Sequence, residues 1–502
     1  MAKGRVTSRS RKTQPVKGRG KHVAVSPLLP TRRPAIRARY DAAQTTNDNR
    51  RHWANADALS ADAANSPAVR NHLRQRSRYE CDNNTYARGM IETLANDTIG
   101  TGPRLQIRGL PSKETAREIE AAFRDWCRVV GLTDALRVMR KSKAVSGEVF
   151  LIKVFNGRLP SPVKLDIQVI EADQCASPNQ TLDNPVDGIE LDPFQRPRLY
   201  HFLKEHPGGS SISTGINDTF KALAEDVLHY FRKDRPGQHR GIPEITAALP
   251  LFAQLRRYTL AVIAAAETAA DFAGVLQSEA SPHTGEAPEG EEWETVELEQ
   301  RMLTVLPKGY TLGQIKAEQP VNTYKDFKAE ILNEIARCLN MPFNIAAGNS
   351  SGYNYSSGRL DHQTYYKSID VERSTIEDTI LGPLFATWLG EAIERRALSR
   401  EALSQLEKVN DRPNVQWFWD GMKHVDPAKE ATAEATRLTS NTTTLARVFA
   451  EQGLDWEEEL EQRGKELELM NKLGITPAMP APAANTSKTP VEDDEEGADD
   501  EA

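Results

Sequence analysis

Residues 251–276, LFAQLRRYTLAVIAAAETAADFAGVL, carry a single apolar seam. Its members recur at alternating spacings of four and three residues: Leu251, Leu255, Tyr258, Val262, Ala265, Ala269, Phe272 and Leu276. This heptad-like spacing is typical of a helix that packs against other helices. About 26 residues at ~1.5 Å each predict a rod about 39 Å long. An ordinary core helix, which also has one apolar stripe, is the alternative. This helix, however, is long and carries charged residues on its opposite side.

The composition limits the class of protein. At 502 residues, 39% of them hydrophobic, the chain is long enough for two or three domains or for one elongated body with insertions. The most apolar window, residues 260–266, is flanked by Arg257 and Glu267, so no stretch resembles a membrane-spanning helix. The four cysteines are far apart and form no C-x-x-C motif, which predicts free thiols in a reducing compartment.

Charge is concentrated at the two ends of the chain. Residues 1–40 hold twelve Lys and Arg and no acid, and residues 491–502 hold eight acids and no base. Taking +12 and −8 for these ends from the net charge of −7 leaves −11 for the residues between them. An acidic body disfavours tight wrapping of nucleic acid, because affinity for phosphate depends mainly on Lys and Arg. The basic arm is expected to be a disordered tail, with binding of nucleic acid or an acidic partner as the alternative.

The spacing of hydrophobic residues changes in the middle of the chain. Alternation of period two begins at Gly147 and predicts a β-rich region ahead of the helix quoted above. After that helix, residues 279–299 carry eight glutamates and no Lys or Arg, which predicts an exposed insertion. A hairpin is expected next, with strands at Met302–Leu306 and Tyr310–Ile315.

Helical patterns then return. Apolar stripes predict helices over Tyr324–Asn340 and Leu360–Arg395, the second kinked at Gly382-Pro383. Three shorter helices are expected over residues 427–439, 443–451 and 455–473. From Ile475 the chain is rich in Pro and Ala and then acidic, which is typical of a disordered tail.

One polar stretch, GNSSGYNYSSGR at residues 348–359, raises a question about catalysis. Its first five residues match G-x-S-x-G, the pattern that presents a nucleophilic serine, here Ser350. Such a turn requires a buried strand before it and a helix after it, whereas a predicted helix and a short broken segment precede Gly348. His362 and His424 follow in sequence, so a serine hydrolase that uses Ser350 stays an alternative.

Other patterns of catalysis or metal binding are absent from the sequence. No G-x-x-x-x-G-K-[ST] motif is present, so no nucleotide-binding loop is predicted. His201 and His206 fit no zinc motif, and strand alternation should point them to opposite faces. The carboxylates of residues 289–299 lack the apolar surroundings that would raise a pKa. The sequence therefore predicts no enzyme, no cofactor and no metal.

The order of these segments resembles the portal proteins of tailed bacteriophages, specifically the lambda-type family. The stretches that carry the resemblance are RPGQHRGIP at 235–243, NYSSGR at 354–359, VDPAKEA at 425–431, GEVF at 147–150 and DGIELD at 187–192. The resemblance covers roughly residues 60–475 in the family's order. No single motif decides it, but the ordered set is specific.

The resemblance implies an α+β, mainly α portal fold, with a β-rich wing, a two-helix stem, a clip, a crown and a tunnel loop, assembled as a ring. Eight segments follow from it: a basic disordered arm (1–40), a wing body with the β-rich part (41–241), the first stem helix (242–278), the clip (279–321), the second stem helix (322–341), the tunnel loop (342–358), a long wing helix with crown helices (359–474) and a disordered tail (475–502). The seam residues listed above would be the packing surface of the stem.

What the family does is implied in the same way. The ring, usually of twelve subunits, would occupy one capsid vertex, where terminase pumps double-stranded DNA through its centre. It would retain the DNA, join head to tail and let the genome exit. Expected partners are other copies of the chain, DNA, the terminase large subunit, major capsid and scaffold proteins and head–tail connector proteins, with no membrane. Expected locations are the virion and, during assembly, the host cytoplasm.

The polar stretch gains a mechanical interpretation from this resemblance. The residues expected to face DNA are Asn349, Ser350, Tyr353, Asn354, Tyr355, Ser356 and Arg359. Small polar side chains, glycine freedom and no cation before Arg359 permit contact without strong attraction to phosphate. Two alternatives remain: the hydrolase that uses Ser350, and another phage head or connector protein without a channel.

Overall fold

A computed structural model of the protein describes residues 43–177, 186–209, 219–270, 274–278, 310–314, 323–351, 355–410, 412–421 and 427–475. Residues 43–59 belong to a separate compact unit and form turns. The second unit begins at Ser60 and holds every helix and strand discussed below. No helix among the described residues combines the length and apolar character that crossing a membrane requires.

The described residues are mainly helical. Their α-helices are α1 (Ala61–Ala64), α2 (Pro67–Asn83), α3 (Thr85–Ile99), α4 (Lys113–Val130), α5 (Leu132–Ser146), α6 (Leu249–Ala270), α7 (Thr323–Arg337), α8 (Phe343–Ala347), α9 (Tyr355–Ile376), α10 (Gly382–Glu394), α11 (Arg400–Lys408), α12 (Pro427–Thr439), α13 (Leu445–Glu451) and α14 (Trp456–Leu473). Helices α7, α12, α13 and α14 confirm the predicted helices within a few residues. Between α9 and α10, residues Glu377–Leu381 form a π-helical turn directly before the predicted kink at Gly382-Pro383.

The strands of the described residues form four small antiparallel sheets. They are β1 (Arg104–Arg108), β2 (Glu148–Phe155), β3 (Leu165–Glu171), β4 (Ile189–Leu191), β5 (Pro197–Leu203), β6 (Thr219–Leu223), β7 (Val227–Phe231), β8 (Gly274–Ser278), β9 (Tyr310–Gln314) and β10 (Asn414–Phe418). Their orders are β3-β2-β7, β4-β5-β6, β1-β10 and β8-β9. The predicted β-rich region after Gly147 is thus confirmed.

Strand β2 lies at the centre of the β-rich body because both of its faces are buried. Val149 and Leu151 enter a core with helices α4, α5 and α10, where Trp126 and Trp388 are buried. Phe150 enters a second core between the two three-stranded sheets. This explains its nearly continuous apolar run, which is typical of a strand covered on both sides.

A third core joins α3, α6, α7, α8 and α9. Phe252 and Leu255 in the first half of α6 are buried with Ile335 of α7. Farther along α6, Tyr258 stacks on Tyr324 at the start of α7, with ring centroids 5.8 Å apart. Early residues of one helix thus meet late residues of the other, so α6 and α7 run antiparallel. This confirms a two-helix unit whose members return past each other.

The expected length of the first stem helix is wrong. Helix α6 ends at Ala270, and Leu276, expected on the helical seam, lies on β8 opposite Leu312 of β9. Phe272 lies outside the described residues. Gly274 opens the strand, since glycine opposes continuation of a helix by about 1 kcal/mol and the seam spacing alone does not outweigh it.

The expected hairpin is also corrected. Its second strand exists as β9, but β9 pairs with β8 at the end of the α6 segment. The proposed first strand, Met302–Leu306, lies outside the described residues.

A half-buried acid on α4 has an unusual environment. One carboxylate oxygen of Glu120 accepts a hydrogen bond from the backbone N–H of Ile107 on β1, at 2.6 Å. Burial raises the pKa of Glu120 to about 7, and the negative charges of Asp455 and Glu458 at the start of α14 act in the same direction. Its folded pKa therefore exceeds its unfolded value, so its effect on stability is favourable at low pH and is lost as pH rises through about 7.

We expect Glu120→Gln to stabilise the protein at pH 8, because the amide keeps an acceptor for Ile107 without a charge. After allowance for its partial exposure, the gain in unfolding free energy should be on the order of 1–2 kcal/mol at pH 8 and should vanish near pH 4.5. Thermal melts across this range measure it. Asp125→Asn, on an exposed position of the same helix, is the matched control. A gain that is equal at both pH values would contradict this account of Glu120.

Candidate functional site

The polar stretch begins where α8 ends. Gly348 has φ +62°, a left-handed conformation that suits glycine, and its N–H donates to the carbonyl of Ile345 at 3.2 Å. The N–H of Asn349 donates to the carbonyl of Asn344 at 3.0 Å, and the side chain of Asn349 accepts from the N–H of Ser351 at 3.0 Å. Residues 348–351 are all exposed and contain no cation. The first third of the stretch is therefore a short polar turn at the surface.

The remaining residues of the stretch divide into two groups. Tyr353 and Asn354 lie outside the described residues. Tyr355, Ser356 and Arg359 lie in the first turns of α9, so the expectation of a loop up to residue 358 is wrong for its last part. The glycines and serines there suggested a loop, but the long helix that follows extends back over them. Which of these residues face DNA stays a prediction.

The geometry around Ser350 lacks the features of a nucleophile elbow. Helix α8 and the turn at Gly348 precede Ser350, where the elbow would require a strand. The Nε2 atom of His362 lies 2.9 Å from the side-chain nitrogen of Asn344, and its Nδ1 atom lies 3.4 Å from the hydroxyl of Tyr366. These contacts use both ring nitrogens of the first candidate base. The second candidate, His424, lies outside the described residues.

The predicted stem surface shows a gradient of burial along α6. Leu255 is buried, Leu251, Tyr258, Val262 and Ala265 are half-buried, and Ala269 lies in the last turn. From Tyr258 to Glu267 no residue is buried, and Leu260 and Ile263 are 59% and 48% exposed. One chain therefore covers the first half of this helix and leaves an apolar face on the second half.

Two stretches that carried the family resemblance meet in a buried ion network. Glu148, from GEVF, has no exposed surface and faces Arg240, from RPGQHRGIP. The Nε atom of Arg240 donates to both carboxylate oxygens, at 2.8 and 3.0 Å. Arg74 of α2 also donates to Glu148, and Nε2 of His229 on β7 lies 3.0 Å from it. The network thus fixes α2, β2, β7 and the segment before α6 against one another.

Two glycines allow these stretches to approach. A Cβ on Gly147 would lie 2.5 Å from the backbone of Ile242, and one on Gly241 would lie 2.1 Å from the carbonyl oxygen of Gly147. Gly147 also has φ +89°. Both positions exclude larger residues because backbone, which cannot rotate away, occupies the space.

A second buried network links α5 and β7 to α9. Arg140 of α5 pairs with Glu244 at 3.0 Å, and Lys143 pairs with Glu372 of α9 at 2.5 Å. Tyr230 of β7 also donates to Glu372. Burial would raise the pKa of Glu372, but Arg140 and Lys143 outweigh burial and lower it. Glu372 is therefore a charged anchor between α9 and the β-rich body.

The two histidines near β5 have separate partners, although strand alternation does not apply to His206, because β5 ends at Leu203. His201 contacts Glu190 at 2.8 Å, whereas His206 contacts Glu171 at 3.1 Å. Among the described residues, Glu171, Asp173 and His206 form one group with metal-ligand spacing. Arg78 lies 2.5 Å from Asp173 and 3.5 Å from Glu171, so a cation already balances these carboxylates.

Comparisons with known proteins identify the family of the chain. Residues 47–373 match the family described as "Phage portal protein, lambda family". The chain belongs to this family. It is 25% identical over 504 residues to the "Probable portal protein" of Halomonas phage phiHAP-1, which covers 94% of this chain and 95% of that protein. It is 22% identical over 501 residues to "Portal protein B" of Escherichia phage lambda, with 90% and 93% covered.

A solved structure is also similar. The chain aligns with a chain of the "Neck of native GTA particle computed with C12 symmetry", at 14% identity and a TM-score of 0.41. The alignment covers 78% of this chain and 94% of that one. The family match and the two curated relatives confirm the predicted portal fold and portal function at the level of the family.

The sequence did not reveal the residues that hold the site together. The stretch RPGQHRGIP was recognised, but the pairing of its Arg240 with Glu148 was not. A usable signal was the four-residue spacing of Arg70, Arg74 and Arg78, each of which meets a carboxylate. Three arginines on one helical face usually indicate a surface, which is why this signal was weak.

Proposed function

We propose that this portal protein assembles into a closed ring, with α6 and α7 as its stem and the polar stretch at residues 348–359 facing the DNA channel. The observation that carries the proposal is the apolar face on the second half of α6, where Leu260 and Ile263 stay exposed in one chain. Phe327 of α7 is exposed as well. Contiguous exposed apolar surface marks an interface, and identical neighbours in a ring would cover it.

The position of the polar stretch supports a mechanical role. It connects α8 and α9, both of which enter the third core through Ala346, Tyr365 and Ile369. The hydroxyl of Tyr365 donates to Asp97 of α3 at 2.8 Å, which fixes the middle of α9 to α3. An exposed turn between two anchored helices can keep a constant position while DNA moves past it.

Charge supports weak contact with DNA. Residues 348–351 have no cation, and the chain between its basic arm and its acidic tail has a net charge of −11. Because each Lys or Arg contact to phosphate adds salt-dependent affinity, a channel built from such surfaces lets DNA slide. The runner-up hypotheses, a serine hydrolase and a head protein without a channel, have no comparable support.

The finer functions belong to the same proposal. Twelve subunits would surround double-stranded DNA at one capsid vertex, the terminase large subunit would drive packaging, and capsid, scaffold and head–tail connector proteins would bind the outer surfaces. The ring would assemble in the host cytoplasm, enter the virion, retain the genome and release it. Family membership supports each of these roles.

We expect Ile263→Asp to prevent ring formation while leaving each chain folded. A charge in the apolar face of α6 would be buried without a partner in the ring but solvated in the free chain. Native mass measurement should show wild-type rings at a large multiple of 55.8 kDa and only monomers or small oligomers for the variant. Val138→Asp, at an equally exposed position of α5, should still assemble. A wild-type protein that is monomeric at all concentrations would refute the ring.

A further inference from the structure

The turn between β4 and β5 presents one phenylalanine to solvent. Phe194 is 82% exposed. Its N–H donates to the side chain of Asp192 at 2.8 Å, and the N–H of Arg196 donates to the same oxygen at 2.8 Å. The carbonyl of Gln195 lies 3.1 Å from Nε2 of His239. The turn is therefore fixed by side-chain contacts on two sides, although its central aromatic ring stays largely exposed.

A rigid exposed aromatic ring is an unusual use of a turn. Turn tips usually carry small polar residues, and exposing a large ring costs the free energy that its burial would supply. Large aromatic side chains on preorganised turns are instead typical of interface anchors, because they bury much area and lose little conformational freedom on binding. Phe194 thus has the properties of an anchor without a visible pocket.

A pocket of matching character lies elsewhere on the same chain. Between α4, α10 and the loop before β3 is a cavity of about 240 Å³ that opens to solvent. It is lined by the buried Trp126 and Trp388, by Pro160 and Pro162, and by the exposed Val129 and Asp125. An apolar cavity of about 150 Å³ is large enough for a benzene ring, so this one accommodates a phenylalanine side chain.

We propose that Phe194 of one subunit inserts into this cavity of the neighbouring subunit in the ring. Tryptophan and proline surfaces suit an aromatic ring, and Asp125 at the cavity carries the charge opposite to that of Arg196, two residues from Phe194. Because the anchor and the cavity are different surfaces of one chain, the contact is heterologous, which is the kind that closes a ring. This inference rests on the proposed ring.

The test is cross-linking in purified rings. Phe194→Cys and Val129→Cys are combined in one chain, treated with a mild oxidant or a short bismaleimide, and separated under denaturing conditions. Covalent ladders up to the full ring are expected. The single variants measure any contribution of the native cysteines, and Phe194→Cys with Val138→Cys places the second thiol at an exposed valine of α5, away from the cavity.

The outcomes separate this inference from the ring itself. If rings with Phe194→Cys and Val129→Cys form no more cross-linked chains than the Val138→Cys control, the inference is overturned and the proposed function stays intact. Cross-linking confined to single chains would overturn it as well. Failure of the wild-type protein to form rings would instead refute the proposed function.

A binding measurement completes the test. We expect Phe194→Ala to raise the protein concentration at half-assembly by at least about 10-fold, and Phe194→Leu to restore part of the loss. Phe155→Ala removes another exposed phenylalanine, at the end of β2, and should leave that concentration unchanged. Equal effects of Phe194→Ala and Phe155→Ala would contradict a specific contact.

Discussion

Glu148→Gln should destabilise the protein by about 3–5 kcal/mol, the cost of breaking a buried ion pair by removing one partner. Arg240 has 1% of its surface exposed and Arg74 has 2%, so neither guanidinium can turn to water when the carboxylate is lost. Replacing Glu148 also weakens the acceptor for the N–H of Gly241, at 2.8 Å. Since domains are stable by only about 5–15 kcal/mol, this loss is a large fraction of the total.

Thermal and urea midpoints measure the effect, together with the yield of soluble protein. Glu466→Gln is the matched control, because Glu466 forms an exposed ion pair with Arg463, and exposed pairs contribute little to stability. If both variants melted within a degree of the wild type, the buried network would not hold the fold together. A variant that forms only insoluble protein, beside a soluble control, would agree with the expectation.

The pH dependence of stability gives a second measure of this variant. Burial would raise the pKa of Glu148, but Arg240, His229 and Arg74 outweigh it and hold the pKa well below the usual 4.5. An acid whose pKa is lowered by folding stabilises the protein above about pH 4.5, and this stabilisation is lost as pH falls through the folded pKa. The unfolding free energy of the wild type should therefore fall in acid. Burial lowers the pKa of His229, which adds a loss below about pH 6.5. In Glu148→Gln, the part of this loss of stability that occurs below about pH 4.5 should be absent.

Buried charge also explains which helices the sequence failed to predict. The buried residues of α2 are Arg70, Arg74, Ser77 and Glu80, so its inward face carries no apolar stripe. Helix α5 likewise buries Arg140 and Lys143 beside its apolar residues. Hydrophobic periodicity detects a helix by its apolar face, and here ion pairs take the place of that face. By contrast, α4 buries Ile119, Phe123 and Trp126, an apolar face of the kind that hydrophobic periodicity detects.

Pairing between distant strands was equally hidden. Trp417 and Phe418 lie on β10, which pairs with β1 some three hundred residues earlier in the chain. No local pattern encodes such a partner, because the register depends on the packing of the whole body. The same reason accounts for β9, whose partner β8 lies on the far side of the acidic insertion. The channel-facing residues rest on local composition and stay a prediction, whereas the contacts between α2, β2 and the segment before α6 were missed because they join distant parts of the chain.

Replacing Asn349, Ser350 and Ser351 together by lysine should slow DNA packaging strongly. All three residues are exposed, so rings should assemble as the wild type does. In a closed ring each subunit adds three cations around the duplex, and every phosphate contact adds a salt-dependent attraction that must break at each step of translocation. We expect the rate to fall more than about 10-fold at low salt and to recover partly as salt rises and screens these contacts.

The measurement is packaged DNA length against time in a reconstituted reaction of proheads and terminase. A neutral variant, Asn349→Gln with Ser350→Thr and Ser351→Thr, changes size and shape at the same positions without adding charge, and it should package at nearly the wild-type rate. The contrast between the two variants isolates electrostatic attraction, because a purely steric defect would slow both and would not respond to salt. Packaging at the wild-type rate by lysine rings of confirmed assembly would show that residues 349–351 do not contact DNA. The channel-facing segment would then have to be sought elsewhere on the chain, with α6, α7 and the ring unaffected.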